Sequence, residues 1–392
     1  MKLFNSEIRE RVVFAVYVAT FLLALHASIL AYINSSFLVN FVKEDAVGLI
    51  FSISSLFTAL IFARIQRVLS RLGNYRLFFI LLMIDLIALS GLVFLKSFPF
   101  VVVFFIAHSV VSVVSFLNID IFLENFSVDS RTGRIRGFFL FILNLAWVAG
   151  PFITGTVLSN GDYWKVFALS AILLVPVLLI NVGNFRQFKD PFYHDFSPIQ
   201  TFRSVLKDKD LYRILMVNFL LNFFYAWMVI YTPIYLHDHV GLSWGVIGVI
   251  FSVMLLPFVL LQWPLGRLAD LMYGEKEILS IGFIVMAITT IIIPFVRSYS
   301  PLVWAAILFG TRIGASMVEV MAEVYFFKKI NVRGVSFISF FRMMRPVAYL
   351  IAPVIASAMF IIFDLPITAI FFALGLVMFS GLHYSLAIKD TL

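Results

Sequence analysis

The chain has 392 residues, of which 62% are apolar and 13% charged, and its mean hydropathy is +1.05. A soluble domain of this size has no core large enough to hide so much apolar surface, so lipid has to be the solvent for most of it. The net charge of +8 does not mark nucleic-acid binding, because the basic residues sit in short connections and form no continuous face; the lack of cysteine removes disulfides, thiolate metal sites and Cys nucleophiles.

From the N-terminus onward, runs of about twenty nearly uncharged residues alternate with short basic or Gly/Pro-marked breaks, the spacing a bilayer imposes on helices. Twelve spans are expected, at residues 12–35, 46–63, 77–95, 98–119, 137–158, 165–184, 211–236, 244–266, 278–296, 301–323, 335–360 and 366–387. The first is too long for a secretory h-region and no small-residue cleavage site follows it, so it reads as a retained signal anchor. Lys and Arg in alternate connections split 22 to 4, with only Lys43, Lys96, Lys165 and Arg297 on the sparse side. Both termini are therefore expected in the cytoplasm, and the protein in the cytoplasmic (inner) membrane. The polar stretch 185–210 divides the chain into an N-terminal bundle, 1–184, and a C-terminal bundle, 211–392. Within it, Ser197-Pro198-Ile199-Gln200 has an N-cap Ser, Pro in the first turn and Gln at N3, which predicts a short interfacial helix through about Lys207. The expected fold class is an all-α polytopic membrane protein of twelve transmembrane helices in two pseudo-symmetric six-helix bundles.

The two halves correspond at an offset near two hundred residues. Gln66-Arg-Val-Leu-Ser70-Arg-Leu-Gly73-Asn-Tyr-Arg76 follows the second span, and Gly266-Arg-Leu-Ala-Asp270-Leu-Met-Tyr-Gly274-Glu-Lys276 follows the eighth. Asp120 and Glu124 late in the fourth span are matched by Glu319 and Glu323 late in the tenth. At these loops the chain resembles the major facilitator superfamily (MFS), whose pattern there is Gly-x-Leu-Ala-Asp-Arg-x-Gly-Arg-Arg/Lys. Gln66 and Ser70 depart from it in the first copy, while Gly266, Leu268, Ala269 and Asp270 fit in the second. The resemblance covers the whole chain, and it implies that these loops act as a cytoplasmic gate latch. In the fifth span, Ala146-x-x-x-Gly150-Pro151-x-x-Thr154-Gly155 looks like the family's Gly-x-x-x-Gly-Pro-x-x-Gly-Gly motif, which is associated with exporters. Its physical content is close helix packing around Gly150, Pro151 and Gly155, with a proline bend on which a rocking motion can pivot.

Charges inside the spans are costly and mark either sites or structural pairs. Arg312 lies eleven residues past Pro301, about 16 Å deep at 1.5 Å per residue, and shares a stripe with Glu319 and Glu323. The stripe is either a ligand or gating element or a structural ion-pair ladder. Arg345, beside Pro346, falls at a similar depth, with Arg342 nearer the surface. The acids Asp120, Glu124, Glu319 and Glu323 all lie toward cytoplasmic ends, so a midplane site is net positive unless Asp85 turns inward. That favours an anionic or zwitterionic ligand; the alternative is that nearby acids neutralise both arginines. Asn218, Asn222 and Tyr225 share one face of the seventh span and suit either a ligand or interhelical hydrogen bonds. His26 and His108 are midspan candidates for proton transfer or for packing. His237-Asp-His239 is a weak metal pattern, and no metal site is expected from it.

No P-loop, His-Glu-x-x-His or Gly-x-Ser-x-Gly occurs, so ATP hydrolysis and the familiar hydrolytic chemistries lack residues, and neither an enzyme nor a cofactor is expected. The family resemblance implies a secondary active transporter that moves a small solute by alternating access. It implies proton coupling, with His26, His108, Asn218, Asn222, Tyr225 and Arg312 in the cavity and Arg345 added by depth. Asp120, Glu124, Asp270, Glu319, Glu323 and Arg342 are expected as gating or coupling elements. A uniporter or lipid flippase of the same fold, a membrane sensor and an intramembrane enzyme are the alternatives. The expected partners are a small-molecule substrate and membrane lipid, with no nucleic acid, for a monomer. Because the chain lacks cysteine, Ser130→Cys is expected to react with an impermeant thiol reagent only from the cytoplasm and Asp162→Cys only from outside. The opposite pattern would invert the orientation and every depth above.

Overall fold

A computed structural model describes residues 6–126, 132–158, 161–193, 197–262, 264–265, 274–330 and 335–389. The helices are α1 (Ser6–Ala31), α2 (Asn34–Val39), α3 (Glu44–Leu72), α4 (Asn74–Phe94), α5 (Phe98–Phe126), α6 (Thr132–Val157), α7 (Tyr163–Ile180), α8 (Pro198–Val205), α9 (Lys209–Ile234), α10 (Trp244–Leu260), α11 (Glu275–Ile292), α12 (Pro301–Ile330), α13 (Val335–Ile361) and α14 (Ile367–Ser385). Among the described residues, eleven segments are long and apolar enough to cross a membrane. The remaining expected span, α10, has 17 residues, about 26 Å of helix against a hydrocarbon layer of about 30 Å. Together they form an all-helical, multi-pass membrane fold.

Several spans run past their expected ends. α3 continues to Leu72, with Arg71 in its last turn, and α12 to Ile330, where Lys328 and Lys329 pair with Glu275 and Asp210. The first span stops at Ala31, and the short α2 takes the residues beyond. Pro176 and Pro233 sit near the ends of α7 and α9, and each helix then passes into a π-helical turn, at Asn181–Phe185 and Tyr235–His239. In the polar stretch α8 begins at Pro198 as expected, but Ser197 makes no side-chain cap and the helix ends at Val205.

The chain forms two compact units, one of Met1–Ile33 and Leu60–Asp195, the other of Asn34–Ala59 and Phe196–Leu392. Residues 34–59, expected with the N-terminal bundle, thus group with the second unit. The contacts show why: a side chain on Gly48 would collide with the Tyr231 hydroxyl, and Ser357 Oγ donates to the Asp45 carbonyl at 2.7 Å. Each unit uses the same helix pairings. In the first, α1 packs on α5, α6 and α7, and α4 on α5 and α7; in the second, α9 packs on α12, α13 and α14, and α11 on α12 and α14. The internal repeat of the sequence is therefore a repeat of packing.

Small residues set these pairings. Gly282 and Gly314 bring α11 and α12 together so closely that a Cβ on either would lie 2.9 or 2.6 Å from the other's carbonyl oxygen. In the first unit, Gly150 of α6 faces Ser28 of α1 with no room for a Cβ. Ser28 Oγ donates to the Ala146 carbonyl at 3.0 Å and Thr154 Oγ1 to the Ile29 carbonyl at 2.6 Å. At the loop motif after the second span, Gly73 has φ +76°, a conformation glycine adopts without strain. Asp190, from beyond the sixth span, accepts the Asn74 N–H at 2.7 Å and the Tyr193 hydroxyl at 2.6 Å. Burial and that bond push the Tyr193 phenol above its ordinary value, so it remains a donor. The second copy of the motif, Asp270 included, lies outside the described residues.

Gly150→Ala is expected to wedge α1 from α6 and lower the unfolding free energy of the purified protein by about 1–3 kcal/mol. Gly150→Ala combined with Ser28→Gly is expected to recover part of that loss in thermal unfolding. Strictly additive losses would place the strain elsewhere.

Candidate functional site

Polar side chains come together inside both units. In the first, His26 of α1, Asp85 of α4 and His108 of α5 are all buried and converge. His108 Nδ1 lies 2.7 Å from Asp85 Oδ1, and His26 Nε2 lies 3.2 Å from Asp85 Oδ2. The two rings meet edge to face, with centroids 5.5 Å apart. Behind His26, Nδ1 faces Ser170 of α7, 2.6 Å from its Oγ and 3.2 Å from its carbonyl oxygen. Asp85 therefore does turn inward, the condition under which a net positive midplane was not expected in this half. The sequence signal was the single acid midway along an otherwise uncharged span; its pairing with two histidines on other helices was not readable.

Among the described residues this is the one group of three His, Cys, Asp or Glu side chains whose ligand-type atoms lie within 4.8 Å of one another. The 2.7 Å separation of Nδ1 and Oδ1 is a hydrogen-bond length. It is shorter than the roughly 3.3 Å between two tetrahedral ligands each about 2.0 Å from a zinc ion, so the geometry suits a shared hydrogen better than a metal.

In the second unit, Arg312 of α12 is 1% exposed, and its Nε and Nη1 have no hydrogen-bond partner among the described residues. Its guanidinium carbon lies 5.1 Å from the Phe224 ring centre and 5.8 Å from that of Tyr225, both on α9. The aromatic faces offset part of the cost of burying the cation but satisfy none of its in-plane donors. Tyr225 turns its hydroxyl the other way, donating to Glu319 Oε2 at 2.5 Å. One turn on, Glu323 Oε1 accepts from Arg342 Nη1 of α13 at 2.7 Å. The expected stripe of α12 is thus real, but it is not a ladder: its acids bind a phenol and another arginine, and Arg312 stands apart from them.

The other candidates separate. Asn218 donates to the Phe341 carbonyl at 3.0 Å and so ties α9 to α13, while Asn222 donates to Asn218 Oδ1 at 3.0 Å within α9. Arg345 is exposed, with its guanidinium 5.8 Å from the Tyr349 ring centre, and its charge acts on Glu319. Asp120 and Glu124 lie near the end of α5, and the basic residues expected beside them, 131, 134 and 136, have no described side chains. Of the His237-Asp-His239 pattern, His237 Nδ1 faces the Leu242 carbonyl at 2.9 Å and His239 Nε2 faces Glu44 Oε2 at 3.0 Å, so the rings serve separate partners. Gly150 and Pro151 lie on the α6 segment that packs on α1. Sequence reasoning missed Glu275, fully buried at the start of α11, whose Oε1 lies 2.9 Å from Lys328 Nζ.

A family model described as Major Facilitator Superfamily matches residues 14–322. Similar solved structures include the nucleoside transporter NupG, with a TM-score of 0.74 and 12% identity over 96% of this chain and 99% of that one. A peptide transporter, POT, in complex with alafosfalin, has a TM-score of 0.72 and 12% identity over 96% of this chain and 93% of that one. No curated protein sequence matches the chain.

The Tyr225–Glu319 bond joins α9 to α12 at a half-buried position. Tyr225→Phe is expected to destabilise the purified protein by about 1–3 kcal/mol, the range for losing a hydrogen bond to a charged acceptor. Glu319→Gln, which keeps an acceptor oxygen for the phenol, is expected to cost less. Equal unfolding midpoints for Tyr225→Phe and the wild type would remove the bond from the structural account.

Proposed function

Since the chain belongs to the major facilitator superfamily, we propose that it is a secondary active transporter that moves a small anionic or zwitterionic solute across the cytoplasmic membrane by alternating access, coupled to protons. The observation that carries the substrate class is Arg312, a fully buried guanidinium whose Nε and Nη1 have no partner. A cation held at mid-span is tolerated where a cavity or a counter-ion will meet it. The Nε and Nη1 donors lie in the guanidinium plane and can each meet an oxygen of an acidic group such as a carboxylate or phosphate, while the rings of Phe224 and Tyr225 lie against the guanidinium.

In this reading the solute's acidic group neutralises Arg312, and the neutral pair crosses the barrier that either charge alone would meet. The cytoplasmic placement of both termini rests on the distribution of Lys and Arg between alternate connections. Export is the direction suggested by the motif from Ala146 to Gly155, whose Gly150 and Thr154 hold α6 against α1. The protein acts as a monomer, each chain carrying its own pair of bundles.

A thermal-shift screen of the purified protein against small organic acids, amino acids and phosphorylated metabolites tests the reading first. A solute at a hundred times its dissociation constant is expected to add about 2.7 kcal/mol to the stability of the folded form. Counterflow of that solute in proteoliposomes then separates a transporter from a sensor, and accumulation driven by an imposed pH gradient separates a coupled transporter from a uniporter. Arg312→Ala is expected to insert and fold but to lose binding by about thirtyfold or more, the effect of removing one member of a buried charged pair. Arg312→Lys is expected to restore little, since a point charge does not reproduce the fork. Full binding and transport by Arg312→Ala would reduce the arginine to a packing residue.

A further inference from the structure

Two features at one end of the second unit play no part in the proposed transport. The first is α8, which packs on α9 and α13 with Thr201 and Val205 buried and Phe202 6.0 Å from Phe340 between ring centres. Ile199, Phe202 and Leu206, spaced three and four residues apart, share one side of the helix and stay 68%, 46% and 52% exposed. Arg203 and Lys207 border that strip on the side away from Thr201 and Val205. This is the cross-section of a helix lying in the headgroup layer, with apolar side chains toward the acyl chains and cations level with the phosphates.

The second feature is a groove of about 350 Å³ lined by Leu206, Lys209, Tyr212, Arg213, His383 and Tyr384. It lies where the first turns of α9 meet the last turn of α14, and both helices belong to membrane-spanning segments, so these side chains sit at the depth where a bilayer carries its headgroups. The Tyr212 and Tyr384 rings meet edge to face with centres 6.3 Å apart, and His383 meets Tyr384 in the same way at 5.3 Å. A phenol at this depth presents its ring to the chains and its hydroxyl to the polar layer.

The groove is positive because the acids beside it are already engaged. Asp210 accepts from Arg213 Nη1 at 3.0 Å and from Lys329 Nζ at 3.2 Å. Asp208 Oδ1 accepts from the backbone N–H groups of Asp210 and Leu211. Among the described residues Lys209 and His383 have no acidic partner. Arg213 gives only Nη1 to Asp210 and keeps further N–H donors for a ligand.

We propose that this groove binds the headgroup phosphate of an anionic phospholipid. Lys209 and Arg213 meet the phosphate charge, the Tyr212 and Tyr384 hydroxyls donate to its oxygens, and the acyl chains run past Leu206 into the layer that the exposed strip of α8 enters. A free phosphate or a soluble phosphate ester offers the same anion but leaves Ile199, Phe202 and Leu206 uncovered. The site is separate from Arg312 and does not rest on the transporter reading.

Native mass spectrometry of the full-length protein in a nonionic detergent, titrated with dioleoyl phosphatidylglycerol, tests the site. This lipid is expected to bind about tenfold more tightly than phosphatidylcholine with the same chains, and less tightly as ionic strength rises; equal affinities overturn the proposal. Lys209→Gln and Arg213→Gln are each expected to weaken phosphatidylglycerol about fivefold, the effect of one cation near an anionic lipid. Lys96→Gln, which removes a charge from the break between the third and fourth spans, is expected to change nothing. A loss in Lys96→Gln equal to that in the groove variants, or no loss in either groove variant, overturns the site. Inorganic phosphate and glycerol 3-phosphate are expected to displace the lipid only at far higher concentration; displacement at the concentration of the lipid itself makes this a small-anion site and also overturns the proposal. Because Arg213→Gln also breaks the pair with Asp210, the wild type supplies a second measure. Phosphatidylglycerol carrying a photoreactive group at its headgroup is expected to label residues 206–213 and 382–386, and labelling confined to other segments overturns the proposal even if neither variant folds.

Discussion

The cost of placing charge in hydrocarbon governs the arrangement of this protein. A charged side chain in the middle of a span costs several kcal/mol unless a partner or a ligand meets it. Almost all of the 29 Lys and Arg residues accordingly lie at the ends of spans, and the few ionisable groups left at mid-span identify where the chain does something other than pack. His26, Asp85 and His108 answer the cost by closing on one another. Arg312 does not: its guanidinium lies against aromatic rings, and its Nε and Nη1 have no hydrogen-bond partner among the described residues.

This difference is set on a repeated frame. The helix pairings of the first unit recur in the second, held by the same device of small residues at close crossings, Gly150 against Ser28 in one and Gly282 against Gly314 in the other. His108 and Arg312 lie on corresponding helices, about ten residues past Phe98 and eleven past Pro301. Equivalent positions in the two halves thus carry an imidazole that belongs to a self-contained cluster and a guanidinium without a counter-ion. Packing constrains the small residues and leaves the mid-span chemistry free to diverge.

The loops show the same economy of partners. Where the first loop motif has Ser70 in place of an acid, Asp190 from beyond the sixth span accepts the Asn74 N–H beside Gly73. A carboxylate therefore still meets this loop, at the start of α4 where the helix dipole favours it, but it arrives from a segment over a hundred residues away. Likewise Glu44 and Asp45 at the start of α3 find His239 and Ser357 far along the chain, and these contacts draw residues 34–59 into the second unit.

What the sequence determined by itself was depth. Hydropathy, span length and the distribution of basic residues are local properties fixed by the bilayer, so the number of spans, their order, the internal repeat, the polar break after the sixth and the mid-span placement of Arg312 were all legible. The small-residue run from Ala146 to Gly155 was legible as a close crossing for the same reason, since it lies on one helix. What only the tertiary structure decided was direction around each helix and the partner found there. Asp85 could equally have faced lipid, a neighbour or water until α4 was set against α1 and α5. Glu319 could have paired with Arg312 on its own helix, yet the α9–α12 crossing brought the Tyr225 hydroxyl to it first. A span's sequence states how far into the membrane a group sits, but its rotation is the outcome of packing against several helices at once, and that outcome is written in no single segment.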